Sequence, residues 1–217
     1  MSTTNFQTMT ILHATCHVWS CYYHHCIIIL NMSKKDFNLA IIVGTNRDNR
    51  QSIHVAHLIE QVADKFPGFK PQLIDLLQFN FSLNDTEPTQ SDPNYDKLIE
   101  AADAFLIVLP EYNHAFPAAL KRALDSEYAA YFHKPVALAG VSSGPWGGTR
   151  AIEAILPVLR ALGMLISRVD LNFPQVQDLF NQEGILQDQA YLPRVEKTLQ
   201  ELLWLTQSLR WGRDNLS

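Results

Sequence analysis

Ala104-Phe105-Leu106-Ile107-Val108-Leu109-Pro110 is the stretch whose reading decides the fold. Six apolar residues without a polar interruption, closed by a proline, read as a strand buried on both faces, and such strands belong to parallel sheets covered by helices. Leu39-Ala40-Ile41-Ile42-Val43, ended by Gly44, and Pro135-Val136-Ala137-Leu138-Ala139-Gly140 have the same character. Between the Leu39 and Ala104 runs, Val55, Leu58, Ile59, Val62 and Phe66 recur at the spacing of an amphipathic helix face, with Ser52 expected as its N-cap.

The remaining elements are read outward from these. A weaker strand is expected at Lys70 to Leu76, then a loop from Gln78 to Asn94 and a short helix from Tyr95 to Ala102. A helix from Pro117 to Tyr128 follows the central strand. Another, capped by Thr149, carries Ile152, Ile155, Leu156 and Leu159 on one face, contains Pro157 and ends at Gly163. A fifth strand fits Met164 to Leu171, and Leu199, Leu202, Leu203 and Leu209 mark a closing helix entered near Pro193. This alternation predicts a doubly wound α/β domain, a five-stranded parallel sheet with helices on both faces, because each parallel crossover needs a helix to return the chain. In such sheets ligands bind beyond the carboxyl ends of the strands, at the switch point. The loops after the first, third and fourth strands therefore matter most.

Hydrophobic residues are 47% and charged residues 18% of the 217, enough to bury a full core. Asp plus Glu is 22 against 17 Lys plus Arg, a net charge of −5 that disfavours a nucleic-acid backbone as partner. The first 33 residues differ from the rest. They lack Asp, Glu, Lys and Arg, yet hold all 3 cysteines and four of the 8 histidines. The apolar stretch from Met9 to Leu30 is broken by His13, His17, His24 and His25, poor for a bilayer span, and no basic region precedes it as in a secretory signal. Its Cys and His spacings lack the paired C-x-x-C of structural zinc sites, so no metal is expected. We expect residues 1–32 to be an extension outside the fold and residues 33–217 to form the domain. From Met32 onward there is no cysteine, so redox chemistry in the domain needs a bound cofactor.

Each of the three loops has two readings. Gly44-Thr45-Asn46-Arg47-Asp48-Asn49-Arg50-Gln51-Ser52 is neither a Walker A loop nor a G-x-G-x-x-G turn. It offers hydroxyl, amide and guanidinium groups leading into a helix N-terminus, which favours a phosphate dianion; a solvated turn is the plainer alternative. Pro110-Glu111-Tyr112-Asn113-His114-Ala115-Phe116-Pro117 presents an aromatic ring, backbone amides and an Asn side chain at a strand end, which suits a flat heteroaromatic ring as well as an ordinary βα loop. Val141-Ser142-Ser143-Gly144-Pro145-Trp146-Gly147-Gly148-Thr149 has three glycines that permit close backbone approach, and Trp146 suits either a ligand face or a subunit contact.

In combination these features resemble the NADPH-dependent FMN reductase family, flavodoxin-like proteins that include quinone, azo-dye and chromate reductases. The resemblance covers roughly Asn38 to Leu209. It is carried by Pro110-Glu111-Tyr112-Asn113 with Pro117 and Leu120-Lys121, by Gly44-Thr45-x-Arg47 with Ser52, and by Gly144 with Gly147-Gly148. The resemblance implies that Thr45, Arg47, Gln51 and Ser52 hold the FMN phosphate. It implies further that Pro110, Glu111, Tyr112 and Asn113 line the isoalloxazine and that Ser143 and Gly144 approach it from the other side. Arg122 and Ser126 depart from the family's pattern on the helix expected at the dimer contact.

The implied activity is an FMN-dependent NAD(P)H oxidoreductase, located in the cytoplasm, with NADPH or NADH as co-substrate and a small-molecule acceptor. No side chain acts as acid or base, because the flavin carries the chemistry. A homodimer or tetramer is expected from the small and aromatic residues Ala118, Ala119, Ala123, Tyr128, Ala129, Ala130 and Tyr131. No membrane partner is expected. The rival is a flavodoxin-type electron carrier that binds the same group without turning over nicotinamide.

Overall fold

The computed structural model describes residues 36–81 and 92–216, which lie within one compact unit, Lys34–Ser217. The expected extension over residues 1–32 lies outside the described residues, as does most of the expected Gln78–Asn94 loop. In chain order the elements are β1 (Phe37–Val43), α1 (Ser52–Lys65), β2 (Phe69–Asp75), α2 (Pro93–Ala101), β3 (Ala104–Pro110), α3 (Ala118–Asp125), β4 (Pro135–Val141), α4 (Thr149–Ala161), β5 (Leu165–Ile166), β6 (Leu171–Phe173), α5 (Val176–Leu179) and α6 (Tyr191–Asn215). All strand pairings are parallel, in the order β2-β1-β3-β4-β5, with β6 also on β4. This is the flavodoxin-like order, and its switch point falls between β1 and β3.

The apolar runs are buried because the sheet is covered twice. Leu39, Ile41 and Val43 pack with Val55 and Ile59 of α1 and with Val195, Leu199 and Leu202 of α6. Ala40 and Ile42, pointing the other way, join Ile99 of α2, Leu120 and Leu124 of α3, and Ile152, Ile155 and Leu159 of α4. Each fully buried aliphatic side chain contributes about 1.5–3 kcal/mol relative to exposure, so the central strands alone anchor both layers. β2 contains Pro71, which is tolerated because β2 is an edge strand with one side free of ladder bonds.

The structure corrects four expectations. The strand read as Met164 to Leu171 is two short segments along the same edge of β4. Pro135 pairs with Leu165 whereas Ala139 pairs with Leu171, so two extra residues bulge out between β5 and β6. Ser167 to Asp170 carry no long apolar run to hold a ladder there. Ser52 is the first residue of α1 and not its cap, that place being taken by Gln51 without a side-chain bond. Thr149 likewise begins α4 after Gly148 (φ +79), and its hydroxyl donates 2.7 Å to the Trp146 carbonyl instead of capping. The helix expected from Pro117 to Tyr128 ends at Asp125, followed by a short 3₁₀ turn over Ala129–Tyr131. Gly163 (φ +69) does occupy the left-handed position past the end of α4. Among the described residues no helix is long and apolar enough to cross a membrane.

Candidate functional site

Three loops leave the carboxyl edge of the sheet next to one another. β1 and β3 are neighbours there, and the amide of Gly44 donates 2.8 Å to the Val108 carbonyl. The loop after β1 therefore starts beside the loop after β3. Thr45 is buried, and its Oγ1 lies 3.1 Å from the Tyr112 hydroxyl, joining residues 67 apart in the chain. The same Oγ1 accepts from the amide of Arg47 at 3.3 Å, which turns the loop toward α1. The Arg47 guanidinium then sits 4.2 Å from the centre of the Tyr112 ring, a cation–π contact.

Behind this loop lies a buried ion pair that no local pattern announces. Arg50, with 9% of its side chain exposed, donates through Nη2 to Asp75 at the end of β2 and through Nη1 to the Arg47 carbonyl at 3.2 Å. Asp75 Oδ1 accepts from the amide of Leu77 at 3.1 Å. The pair ties the loop to β2. Two polar atoms there are buried without a hydrogen-bond partner, Nε of Arg50 and Oγ of Ser52. An unsatisfied buried donor costs about 1–3 kcal/mol, and both groups belong to the run that leads into α1. A guanidinium N–H and a hydroxyl, with the free amides of a helix N-terminus, form the donor set a phosphate requires. A cleft of about 730 Å³, within the range of small-ligand sites, runs from Asn46 past Leu76 and Phe79 to Ala118 and Lys121 of α3.

The loop after β3 makes a tight turn. Tyr112 and Ala115 exchange backbone hydrogen bonds of 2.8 and 3.0 Å, and the two residues between them, Asn113 (φ +50) and His114 (φ +65), are both left-handed. Positive φ at both central positions is the type I′ arrangement, which Asn accepts more readily than most residues. Pro110 is buried as the last residue of β3. The Glu111 carboxylate, with 5% of the side chain exposed, is taken up by Arg150 of α4, whose Nε donates to it at 2.6 Å.

The third loop is tied down by its own backbone. Ser142 Oγ donates 2.9 Å to the Gly144 carbonyl, and the Gly144 carbonyl also accepts from the amide of Gln175 at 3.0 Å. The glycines divide in role. A Cβ on Gly148 would come within 2.5 Å of the Val141 amide nitrogen, and one on Gly147 within 2.8 Å of Asn172 Cβ. These two are small because the loop folds onto its own sheet, which corrects the expectation that all three serve ligand approach. A Cβ on Gly144 would meet nothing within 4 Å. Ser143 beside it is exposed, and Trp146 is 64% exposed.

The switch point thus brings together Thr45, Arg47 and Tyr112, while Ser52 is buried as the first residue of α1. Gln51 is exposed at the start of α1. Sequence reading left out Asp75, Arg150 and His114. Two of them lie 25 and 39 residues from their partners Arg50 and Glu111, beyond any local periodicity. His114 stands inside the quoted loop, where its place beside Asn113 was the available signal.

Residues 37–178 match the family described as NADPH-dependent FMN reductase. The NADH:(hydroxy)cinnamate reductase subunit CrdA of Vibrio ruber is 30% identical over 181 residues, covering 79% of this chain and 88% of that one. A quinone reductase of Pseudomonas putida is 28% identical over 161 residues, covering 71% and 87%. Among solved structures, the flavoenzyme NAD(P)H:(acceptor) oxidoreductase FerB of Paracoccus denitrificans superposes with a TM-score of 0.66 at 20% identity, over 79% of this chain and 98% of that one, a likeness of fold.

Proposed function

The chain belongs to the NADPH-dependent FMN reductase family, and from that premise we propose that it is an FMN-dependent NAD(P)H oxidoreductase passing electrons to a small acceptor such as a quinone, an azo compound, a metal oxyanion or free flavin. The observation that carries the reading is the 3.1 Å contact between Thr45 Oγ1 and the Tyr112 hydroxyl, which locks a phosphate-type loop against an aromatic turn at the switch point. Bound FMN supplies the redox chemistry, taking a hydride from nicotinamide and giving electrons to the acceptor. The protein's residues bind and orient. Arg47, with Thr45, Gln51 and the buried Ser52 hydroxyl, would hold the phosphate at the N-terminus of α1. Pro110, Glu111, Tyr112 and Asn113 would line the ring, Glu111 through its backbone because its carboxylate is engaged by Arg150. Ser143 and Gly144 would approach from the other side, where Gly144 borders open space.

Steady-state NADPH oxidation by FMN-loaded protein, with and without a quinone, tests this reading. Quinone-dependent turnover is expected. Flavin that binds but turns over no nicotinamide, with NADPH or NADH, makes the protein an electron carrier of the flavodoxin type.

The finer properties are part of the same proposal. A homodimer is supported by the apolar cleft between α3 and α4, lined by Tyr128, Pro157, Val158 and Leu162, with Tyr128 58% exposed and stacked edge-on against Phe132. Tyr131 and Ala123 belong to the protein's own core and add nothing to that surface. Light scattering at micromolar concentration should give twice the 24.6 kDa of the chain, or a higher multiple for a tetramer; the single mass sinks the proposal. A cytoplasmic location fits the dependence on NAD(P)H, and fractionation with the flavoprotein in a membrane pellet or the medium overturns it. Residues 1–32 are proposed to lie outside the domain of residues 33–217.

A further inference from the structure

Glu111 and His114 flank the Tyr112–Asn113 pair, and both are held by one residue of another element. Arg150, in the first turn of α4, donates through Nε to Glu111 Oε1 at 2.6 Å and through its backbone amide to Glu111 Oε2 at 3.3 Å. Its Nη1 lies 2.8 Å from Nε2 of His114. A guanidinium only donates, so His114 Nε2 is the acceptor and the imidazole carries its hydrogen on Nδ1.

Helix stability does not explain the arginine. A cation in a helix's first turn opposes the macrodipole, and α4 has no cap from its own Gly148. Glu111, from the other side of the site, supplies the missing acceptor to the Arg150 amide. Nor does packing hold the turn, because Asn113 and His114 are both exposed while both are left-handed, a conformation that persists only when the surroundings over-determine it. The side-chain tethers are Thr45 on one side and Arg150 on the other, beside the backbone bond from the Glu111 amide to the Val141 carbonyl at 2.9 Å.

We propose that Arg150 is a positioning residue for the ring-facing turn: by clasping Glu111 and His114 it holds the turn whose central residues, Asn113 and His114, are left-handed, and with it Tyr112 and Asn113 where they receive the flavin ring. This rests on the reading that the isoalloxazine lies over this turn. The clasp is specific to arginine. A lysine presents a point charge without a fork, and cannot serve a carboxylate and an imidazole in one plane. Removing Arg150 leaves the Glu111 carboxylate buried and unpaired, so the turn must move to hydrate it.

The test uses the whole chain, stripped of flavin and then titrated with riboflavin and with FMN. Riboflavin has the ring without the phosphate. Arg150→Ala should weaken both by the same factor, roughly tenfold, the equivalent of about 1.4 kcal/mol. Arg47→Ala should weaken FMN far more than riboflavin, since it removes the phosphate contact while riboflavin loses only what the Arg47 guanidinium contributes by lying on the Tyr112 ring. In the flavin-free protein the amides of Tyr112 and Ala115, which close the turn, should exchange with deuterium about tenfold faster in Arg150→Ala, with the amides of β3 unaffected. Glu111→Gln combined with Arg150→Ala should be no worse than Arg150→Ala alone, because the two act as one unit. If Arg150→Ala does not fold, Arg150→Lys serves instead, with a smaller effect on the same two readouts. Unchanged riboflavin affinity and unchanged exchange in either variant overturn the proposal. Tyr112→Ala separates the two levels. If it leaves riboflavin binding intact, the ring lies elsewhere and the functional reading fails; if it weakens riboflavin while the Arg150 variants do not, only the clasp fails.

Discussion

The hydroxyl of Tyr112 and Oγ1 of Thr45 stand 3.1 Å apart, so the turn after β3 and the loop after β1 move as one piece. The proposed phosphate loop and the proposed ring-facing turn are thereby joined, so a substitution on one side should be felt on the other, most strongly by the ligand group nearest to it.

Arg47→Ala removes a charge-assisted hydrogen bond to the proposed phosphate. A loss of roughly 1.5–3 kcal/mol corresponds to about 10- to 150-fold in FMN affinity. Fluorescence titration of the flavin-free protein measures it, and an unchanged affinity removes Arg47 from the phosphate site.

Ser52→Ala should act with opposite sign on the two states. The Ser52 hydroxyl is buried without a partner, so deleting it should leave the flavin-free protein equally or more stable, by up to about 1–3 kcal/mol. The same change should weaken FMN by about fivefold, the loss of one neutral hydrogen bond. Denaturant unfolding of flavin-free protein, paired with FMN titration, checks both signs; destabilisation with unaltered binding would make Ser52 a purely structural residue.

Tyr95 and Tyr131 form a buried hydroxyl pair at 2.9 Å on the α2 side of the sheet. Tyr131→Phe leaves the Tyr95 hydroxyl without its partner and should cost about 1–3 kcal/mol, whereas the double replacement by Phe should cost less than either single change. Burial holds both phenols above the ordinary tyrosine range. Above pH ~10 the unfolded chain releases these protons while the folded chain keeps them, so stability falls as pH rises further. Absorbance at alkaline pH should show two tyrosines ionising only on unfolding.

Lys134 donates to the carbonyls of Ile99 and Glu100 at 3.1 and 3.0 Å, closing the end of α2. Burial, then the neighbouring Arg213, pulls its pKa down to about 8. Between that value and the ordinary lysine range near 10.4 the unfolded chain binds the extra proton, so this group makes stability rise with pH across the window. Lys134→Met should flatten that rise in urea midpoints measured from pH 7.5 to 10; an identical slope would show that the lysine titrates as an exposed one.

A chain beginning at Met32 should retain FMN affinity and melting temperature, because the described α/β alternation starts at Phe37. Loss of soluble, flavin-loaded protein on this truncation would show that the preceding residues belong to the core.

What the amino-acid sequence determined by itself is what depends on near neighbours. The uninterrupted apolar runs at Leu39 to Val43, Ala104 to Leu109 and Pro135 to Gly140 announce strands buried on both faces, since only such strands need no polar alternation. The stripe from Val55 to Val62 announces α1, and the Pro-Glu-Tyr-Asn turn with the Gly-Thr-x-Arg loop marks the candidate site. Tertiary structure alone decided what depends on distant partners. Thr45 meets Tyr112 because β1 and β3 are neighbours in the sheet, a consequence of strand order that no window of sequence contains. Asp75 claims Arg50, and Arg150 claims Glu111, because carboxylates withdrawn from water must find a cation wherever the fold brings one. The same dependence split the last edge strand, since Leu165–Ile166 and Leu171 each follow the register of β4 and the four residues from Ser167 to Asp170 do not.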